Sequence, residues 1–220
     1  MANPAAQNIP PELPSGFRDY LPANMIARSR MMATIREVVE RFGFDPIETP
    51  AVERWSVLTG DDADFRMVLF ETRSSGARRS EASADDRTAL RFDLTVPLAR
   101  VVAANTDLPR PFKRYQVGSV WRGEKPQVGR YREFTQFDAD IVGSATPAAD
   151  AEIIAFIVAS LRALGVERFE VRCNNRKILN GLPAYAGFDA ALAPDVLRII
   201  DKLPKIGRDA VLRELTKPVR

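Results

Sequence analysis

Residues 112–143 combine arginines, an amide and carboxylates with a strand pattern, and together these groups could bind a charged ligand. Two runs rich in Tyr, Val, Trp, Phe and Thr flank the segment GEKPQVG, in which Gly123, Pro126 and Gly129 break a strand. The pattern predicts an antiparallel hairpin with a long loop. Guanidinium groups bind phosphate or carboxylate bidentately, while carboxylates accept hydrogen bonds from an ammonium or a ring N–H. Such a set of side chains suits a zwitterionic ligand.

The side chains of the second run alternate between two faces, and one of the faces is mostly polar. In the first run, Arg122 has the parity that could direct it into the same space as Arg130. Because antiparallel sheets often keep one polar side in water, a solvated face is the alternative. The polar face carries Arg130, Arg132, Phe134, Gln136, Asp138 and Asp140.

A second group of polar residues lies in the segment RFDLTVPLAR, residues 91–100. The pattern places Asp93 at the end of a strand and predicts Thr95 as the N-cap of a helix that continues to Ala104. Strand ends commonly carry functional groups. The alternative is an aspartate that caps a turn.

Several hairpin residues agree in order and spacing with a known motif. They are Arg122, Glu124, Pro126, Gln127, Gly129, Arg130, Tyr131, Arg132, Phe134 and Gln136. This pattern resembles the second signature motif of class II aminoacyl-tRNA synthetases in its histidyl-tRNA synthetase form. Residues 113–115 and 137–143 resemble the branch of that family shared with eukaryotes, while Lys125 departs from the arginine of many members.

Two other segments resemble the same family. Gly16, Asp19 and Pro22 fit a G-x-x-D-x-x-P pattern found near the start of histidyl-tRNA synthetases. Residues 91–100 resemble the family's amino-acid-binding element, in which an acidic residue and a threonine two positions later receive the substrate ammonium. Asp93 and Thr95 match those two positions.

The resemblance implies a histidine:tRNA ligase, which activates histidine with ATP to histidyl-adenylate and transfers it to tRNA(His). It implies that the catalytic Arg122 holds the α-phosphate and the histidine carboxylate, and that Asp140 faces the imidazole. Mg²⁺ would bridge the phosphates, and no protein metal site is expected. The residues implied to bind ATP are Arg122, Glu124 and Arg130, and those implied to bind histidine are Asp93, Thr95, Gln136 and Asp140.

The resemblance runs from about residue 13 to residue 215, without a recognisable histidine-specific segment, glycine-rich third motif or anticodon-binding domain. We therefore expect the front part of a synthetase catalytic domain. One alternative is the synthetase-like, histidine-sensing subunit that regulates ATP phosphoribosyltransferase, which usually loses the arginines of the second motif. Another is an RNA-binding or dimerisation module.

The resemblance implies that these residues are positioned by an α+β fold, in which a class II synthetase-like antiparallel sheet is flanked by helices and is incomplete at the C-terminus. Residues 1–14 are expected to form a flexible lead-in, and residues 15–220 a partial catalytic domain. Apolar spacing predicts a helix over residues 24–42, ending before Gly43, and then an extended segment that Pro46 and Pro50 confine to an edge. This unit, residues 25–53, resembles the first class II motif, which implies a homodimer. Packing inside one subunit is the alternative.

The remaining patterns predict shorter elements. We expect strands at residues 67–70 and 89–92 joined by a mobile polar stretch, then a helix opened by Thr146 and Pro147 that ends at Gly165. Alternation predicts a strand over residues 168–173, followed by a turn at Asn174 and Asn175. Two short helical patterns over residues 190–217 are broken at Pro204 and Gly207.

Composition limits the possible functions of the 220 residues. There is no histidine, which excludes Ser-His-Asp and Cys-His nucleophilic sites and histidine-ligated metals. The single cysteine, Cys173, excludes an internal disulfide and fits a reducing compartment. No apolar run approaches the ~20 residues of a membrane span and no signal peptide is recognisable, so we expect a cytoplasmic protein without membrane association.

Overall fold

The computed structural model describes residues 10–60, 66–73 and 87–216. The chain forms two compact units, residues 1–169 and residues 170–220. Most of the expected lead-in, residues 1–14, lies outside the described residues, as does most of the polar stretch expected to be mobile. Among the described residues, no helix has the length and apolar character needed to cross a membrane.

The first unit contains helices and strands in an α+β arrangement, as predicted. In chain order the elements are α1 (Pro22–Arg41), β1 (Asp45–Pro46), β2 (Val52–Arg54), α2 (Trp55–Thr59), β3 (Phe70–Thr72), β4 (Thr88–Leu90), α3 (Thr95–Ala104), β5 (Phe112–Trp121), β6 (Glu133–Val142) and α4 (Pro147–Ala163).

The predicted hairpin is confirmed. Strands β5 and β6 pair antiparallel from Phe112 opposite Val142 to Trp121 opposite Glu133. Strand β1 adds to β5 in parallel, which gives the order β1-β5-β6, and a second antiparallel sheet has the order β2-β4-β3. The proline-broken segment therefore supplies the edge strands β1 and β2, as expected.

Helix α1 covers one face of the hairpin. Its sequence is rich in good helix formers, Pro22 lies in the first turn, and Gly43 follows its end with a φ of 75°, a conformation that favours glycine. Buried Val39 contacts the core formed with Phe44 and Phe156, and each of these side chains contributes roughly 1.5–3 kcal/mol through burial. The odd-numbered hairpin residues packed against this core are Val117, Phe137, Ala139 and Ile141.

Some predicted boundaries differ from the structure. Residues 67–69 precede β3, which begins at Phe70, and β4 ends at Leu90 rather than at residue 92. Helix α4 begins as predicted, with Thr146 at the N-cap and Pro147 in the first turn. The strand predicted over residues 168–173 is wrong: these residues are irregular, because no described strand pairs with them.

The second unit consists of short helices. They are α5 (Arg176–Asn180), α6 (Leu182–Ala186), a 3₁₀ turn (Ala190–Leu192), α7 (Ala193–Ile200), α8 (Leu203–Ile206) and α9 (Arg208–Leu215). The predicted turn is confirmed, since the Asn175 side chain accepts a hydrogen bond of 2.9 Å from the Lys177 N–H at the start of α5. Pro204 lies within the first turn of α8 and does not break a helix, whereas Gly207 separates α8 from α9.

Candidate active site

The polar face of the hairpin is buried on β5 and half-buried on β6. Arg114 is 0% exposed and Gln116 is 1% exposed, although both are polar and both lie in β5. The register places Arg114 opposite Asp140, Gln116 opposite Asp138, and Gly118 opposite Gln136. The alternative of a fully solvated face is therefore wrong for this hairpin.

Residues 91–94 cover this face, and hydrogen bonds to β5 hold them there. The Trp121 N–H donates to the Arg91 carbonyl at 3.0 Å, and Arg91 Nε donates to the Ser119 carbonyl at 2.9 Å. Arg91 also donates to the Thr49 carbonyl at 2.6 Å. A side chain at Gly118 would clash with the Arg91 guanidinium, so this close approach requires glycine there.

Asp93 lies in the turn between β4 and α3, and it caps the helix. Its Oδ1 accepts a hydrogen bond of 3.1 Å from the Val96 N–H. The prediction that Thr95 is the N-cap is wrong, because Leu94 occupies that position and Thr95 is already the first helical residue. The Thr95 hydroxyl instead lies beside Asp138, and it lowers the pKa of that carboxylate.

Three carboxylates share the buried face. Burial raises the pKa of Asp93, while the Val96 N–H and the charges of Arg122 and Arg114 lower it. Burial likewise raises the pKa of Asp138. The charge of Arg114 lowers this pKa, and the neighbouring carboxylates Asp140 and Asp93 raise it. The face thus carries three carboxylates and the two guanidiniums of Arg114 and Arg122. One negative charge remains uncompensated, and this environment attracts a cation.

Arg114 forms the central ion pair of the face. Its NH2 lies 2.5 Å from Asp140 Oδ2, and the same nitrogen donates to the Leu94 carbonyl at 3.3 Å. Burial lowers the pKa of Arg114, whereas the charge of Asp140 raises it. The buried side-chain oxygen of Gln136, across the strand from Gly118, has no hydrogen-bond partner among the described residues and can accept one from a ligand.

Arg122 lies at the loop end of the same face. Its Nε donates to the Phe92 carbonyl at 3.1 Å, and its guanidinium lies 5.0 Å from the centre of the Phe134 ring. Because Arg122 also lowers the pKa of Asp93, the structure brings these two predicted site residues together. The guanidinium supplies a positive charge beside the carboxylates.

Glu124 and Arg130 lie in the loop, outside the strands. Arg130 NH1 is 3.7 Å from Glu124 Oε2, and the side chains are 69% and 48% exposed respectively. The prediction that Arg130 and Arg132 continue the strand face is wrong, since β6 begins at Glu133. Arg132 instead anchors the loop, donating to the carbonyls of Glu124 at 3.1 Å and Ser15 at 3.2 Å.

Sequence reasoning did not assign site roles to Arg91 and Arg114. Arg114 has the parity of Gln116 and Arg122, so extending the face by one step would have included it. Arg91 gave no comparable signal, because its position depends on a chain crossing that the sequence does not display.

A cavity of about 510 Å³ lies elsewhere, between α1 and the hairpin. Its lining includes Arg18, Arg28 and Arg36 together with Glu133 and Thr135, and it contains none of the predicted histidine-binding residues. Arg28 donates to the Thr135 hydroxyl. We therefore place the candidate site on the buried polar face rather than in this cavity.

Comparisons with known proteins agree on one family. The sequence model described as histidyl-tRNA synthetase matches residues 16–217. The histidine–tRNA ligase of Aeropyrum pernix is 50% identical over 212 residues, which is 94% of this chain and 46% of that protein. The chain thus spans about half the length of the curated relatives it matches.

Solved structures resemble the fold. The crystal structure of histidyl-tRNA synthetase from Nostoc sp. PCC 7120 is similar with a TM-score of 0.80 and 36% identity, over 94% of this chain and 45% of that one. The crystal structure of an ATP phosphoribosyltransferase regulatory subunit/histidyl-tRNA synthetase from Bacillus halodurans has a TM-score of 0.73 and 26% identity, over 89% of this chain and 49% of that one.

Proposed function

Since this chain belongs to the histidyl-tRNA synthetase family, we propose that it supplies the histidine- and ATP-binding face of a histidine:tRNA ligase. The observation that carries this proposal is the buried face on which Asp93, Gln136 and Asp140 lie with Arg122. Its one uncompensated negative charge suits the ammonium of an amino acid.

The ammonium is proposed to bind in the middle of the face. Asp93 offers a carboxylate, and Gln136 offers a buried oxygen that has no partner among the described residues. Thr95 belongs to the same subsite through its hydroxyl, which also contacts Asp138. Charge-assisted hydrogen bonds of this kind are stronger than neutral ones.

The imidazole is proposed to face Asp140. Two aspartates of β6 lie on the same face, and Asp138 lies beside the Thr95 hydroxyl. Asp140 is instead paired with a buried guanidinium, and its second oxygen can accept a ring N–H. Fit to the ring therefore favours Asp140 over Asp138.

The proposed reaction needs no general base, because the histidine carboxylate is already anionic. A carboxylate oxygen attacks the α-phosphorus of ATP, the new C–O–P bond forms, and pyrophosphate leaves with the electron pair of the broken P–O bond. The protein must align the reactants and neutralise charge on the five-coordinate phosphorus. Arg122 is proposed to do this, while Glu124 and Arg130 orient ATP. Mg²⁺ bound together with ATP would supply further charge neutralisation.

Histidine-dependent exchange of pyrophosphate into ATP tests this proposal in the full-length protein, by which we mean a chain of the relatives' length that contains these 220 residues. We expect exchange with histidine and Mg²⁺, and none with the isosteric amino acids that lack a ring N–H. The proposed substrate is contradicted if the full-length protein exchanges pyrophosphate as fast without any amino acid, or with another amino acid, as it does with histidine.

A histidine-sensing regulatory subunit of ATP phosphoribosyltransferase is the second candidate, supported by the similarity to the Bacillus halodurans structure. The retained arginines Arg122 and Arg130 favour the ligase, because such regulators usually lose them. Calorimetry separates the two: histidine binding without pyrophosphate exchange favours the regulator.

A homodimer through residues 25–53 and binding of tRNA(His) complete the proposal. Apolar side chains are exposed on α1 and on the edge strand β2, which supports burial in an assembly. These side chains are Met25, Ile26, Met31 and Val52.

A further inference from the structure

Arg114 is a charged side chain that has no contact with solvent. It is 0% exposed in the middle of the sheet and stands opposite Asp140 in the register of β5 and β6. A buried cation is costly unless a partner compensates for its lost hydration. That partner is Asp140, whose Oδ2 lies 2.5 Å from the guanidinium.

The remaining contacts of Arg114 direct it towards the carboxylates rather than towards the core. Its NH2 also donates to the Leu94 carbonyl, and Asp138 and Asp93 act on its charge from the same face. Its Nε and NH1 have no hydrogen-bond partner among the described residues. The ion pair with Asp140 and the hydrogen bond to the Leu94 carbonyl therefore set the orientation of the guanidinium together.

The two guanidiniums of the face lie at different positions and contact different groups. Arg122 acts at the loop end, beside Phe92 and Asp93. Arg114 acts eight residues earlier in the chain, where it contacts Asp140. Arg91 does not serve the carboxylates in this way, because its guanidinium donates to the carbonyls of Ser119 and Thr49.

We propose that Arg114 is a positioning residue that holds the Asp140 carboxylate turned towards the bound histidine ring. It acts on the substrate through Asp140 and does not touch the reacting atoms. This inference rests on the proposed function, since it assigns the means by which the same site selects its amino acid. Lysine would keep the charge but lose the planar fork.

Steady-state kinetics of pyrophosphate exchange in the full-length protein test the inference with the variants Arg114→Met, Arg114→Lys, Asp140→Asn and the double variant. For Arg114→Met we expect the histidine KM to rise on the order of 10²-fold, below the roughly 10⁴-fold that loss of a directly contacting polar group reaches. The ATP KM should stay within about threefold, because Arg114 lies at the end of the face remote from Arg122. Arg114→Lys should recover part of the loss.

Arg100→Met is the matched control. Arg100 also forms an ion pair, donating to both oxygens of the buried Glu53 at 2.9 Å, but it lies outside the proposed site. We expect it to lower the melting temperature without a selective change in the histidine KM. In the double variant, the effects of Arg114→Met and Asp140→Asn should be far from additive, because both remove the same interaction.

The outcomes are separable. A wild-type protein without histidine-dependent exchange overturns the proposed function and this inference with it. An active wild type in which Arg114→Met changes the histidine and ATP KM equally, or in which the two single effects add, overturns the inference alone. If circular dichroism shows that Arg114→Met does not fold, Arg114→Lys is compared with Arg100→Lys instead. A rise in the histidine KM that is confined to Arg114→Lys supports the inference, and equal KM values in the two variants overturn it.

Discussion

Replacing Arg122 with alanine should remove adenylate formation while the protein stays folded. In the proposed reaction, Arg122 neutralises charge that develops on the phosphorus in the transition state. Loss of one such donor costs on the order of 10²- to 10³-fold in rate, or about 2.7–4 kcal/mol. Because the interaction strengthens in the transition state, kcat should fall more than the substrate KM values rise.

The cost to the fold follows from the contacts of Arg122. The hydrogen bond from Nε to the Phe92 carbonyl contributes about 1.5–3 kcal/mol for a charged donor, and the contact with the Phe134 ring about 0.5–1 kcal/mol. The free energy of unfolding of a domain is typically about 5–15 kcal/mol, so the variant should remain folded at room temperature. Circular dichroism checks this condition before kinetics are compared.

The same variant should change the pH dependence of histidine binding. Burial raises the pKa of Asp93, and the Arg122 charge is among the groups that lower it. Without Arg122 the pKa of Asp93 rises further, so the carboxylate becomes protonated at a higher pH. Since the ionised form attracts the ammonium, the acid limb of histidine binding should move to higher pH, as measured by calorimetry across the acidic to neutral range.

The assay is histidine-dependent pyrophosphate exchange in the full-length protein, with Arg198→Ala as control. Arg198 is 73% exposed and pairs with Asp195 in the second unit, and no site role is assigned to it. We expect the control to match the wild type. Exchange by Arg122→Ala within about threefold of the wild type would remove Arg122 from its proposed role.

Three other predictions concern the ring, the assembly and the length of the chain. Asp140→Asn should raise the histidine KM, by up to roughly 10⁴-fold, far more than the ATP KM; unchanged values for both would mean that Asp140 does not face the ring. The protein should sediment as a homodimer at micromolar concentration, and Ile26→Glu on the exposed side of α1 should weaken it; a wild type that sediments only as a 24.5 kDa species argues against the interface. Residues 1–220 alone, about half the length of the curated relatives, should not charge tRNA(His), and robust histidine-dependent exchange by this piece would contradict that expectation.

The hairpin could be predicted from sequence because its signals are local. Alternation of side chains gave the polar face, and the glycines and proline of residues 123–129 gave the loop. Whether that face meets water could not be predicted, because its cover comes from residues 91–94, which are distant in sequence. The crossing that brings Arg91 over Gly118 is a tertiary contact without a local pattern.

The N-cap of α3 shows how two local signals compete. Both Asp93 and Thr95 carry a side chain that can accept a hydrogen bond from a first-turn N–H. The backbone at Leu94 decides between them, because the helix begins at Thr95 and leaves Asp93 within reach of the Val96 N–H. The sequence alone presents capping and ligand binding as alternatives for Asp93. The geometry makes them compatible, because one carboxylate oxygen holds the helix and the group keeps a second.

The strand expected over residues 168–173 shows the limit of periodicity. Alternation of polar and apolar residues indicates which side chains could share a face. A strand forms only where another strand hydrogen-bonds to its backbone N–H and C=O groups. Among the described residues no such partner is present, and the segment is irregular. In contrast, β6 has the same kind of pattern and a complete ladder with β5.

The residues proposed to bind histidine are spread along the hairpin. Arg122 stands level with Arg132, whose carbonyl accepts the Arg122 N–H at 2.8 Å, while Gln136 and then Asp140 follow at intervals of four residues. Each interval spans about 13 Å of strand, so backbone position alone would separate the subsites by more than the length of the amino acid. The separation is shortened by side chains. Arg122 reaches back to the Phe92 carbonyl, and Asp93 interacts with Arg122, Arg114 and Asp140 at once. The charges of both ends thus act on Asp93, which is why the proposed ammonium position lies beside this carboxylate.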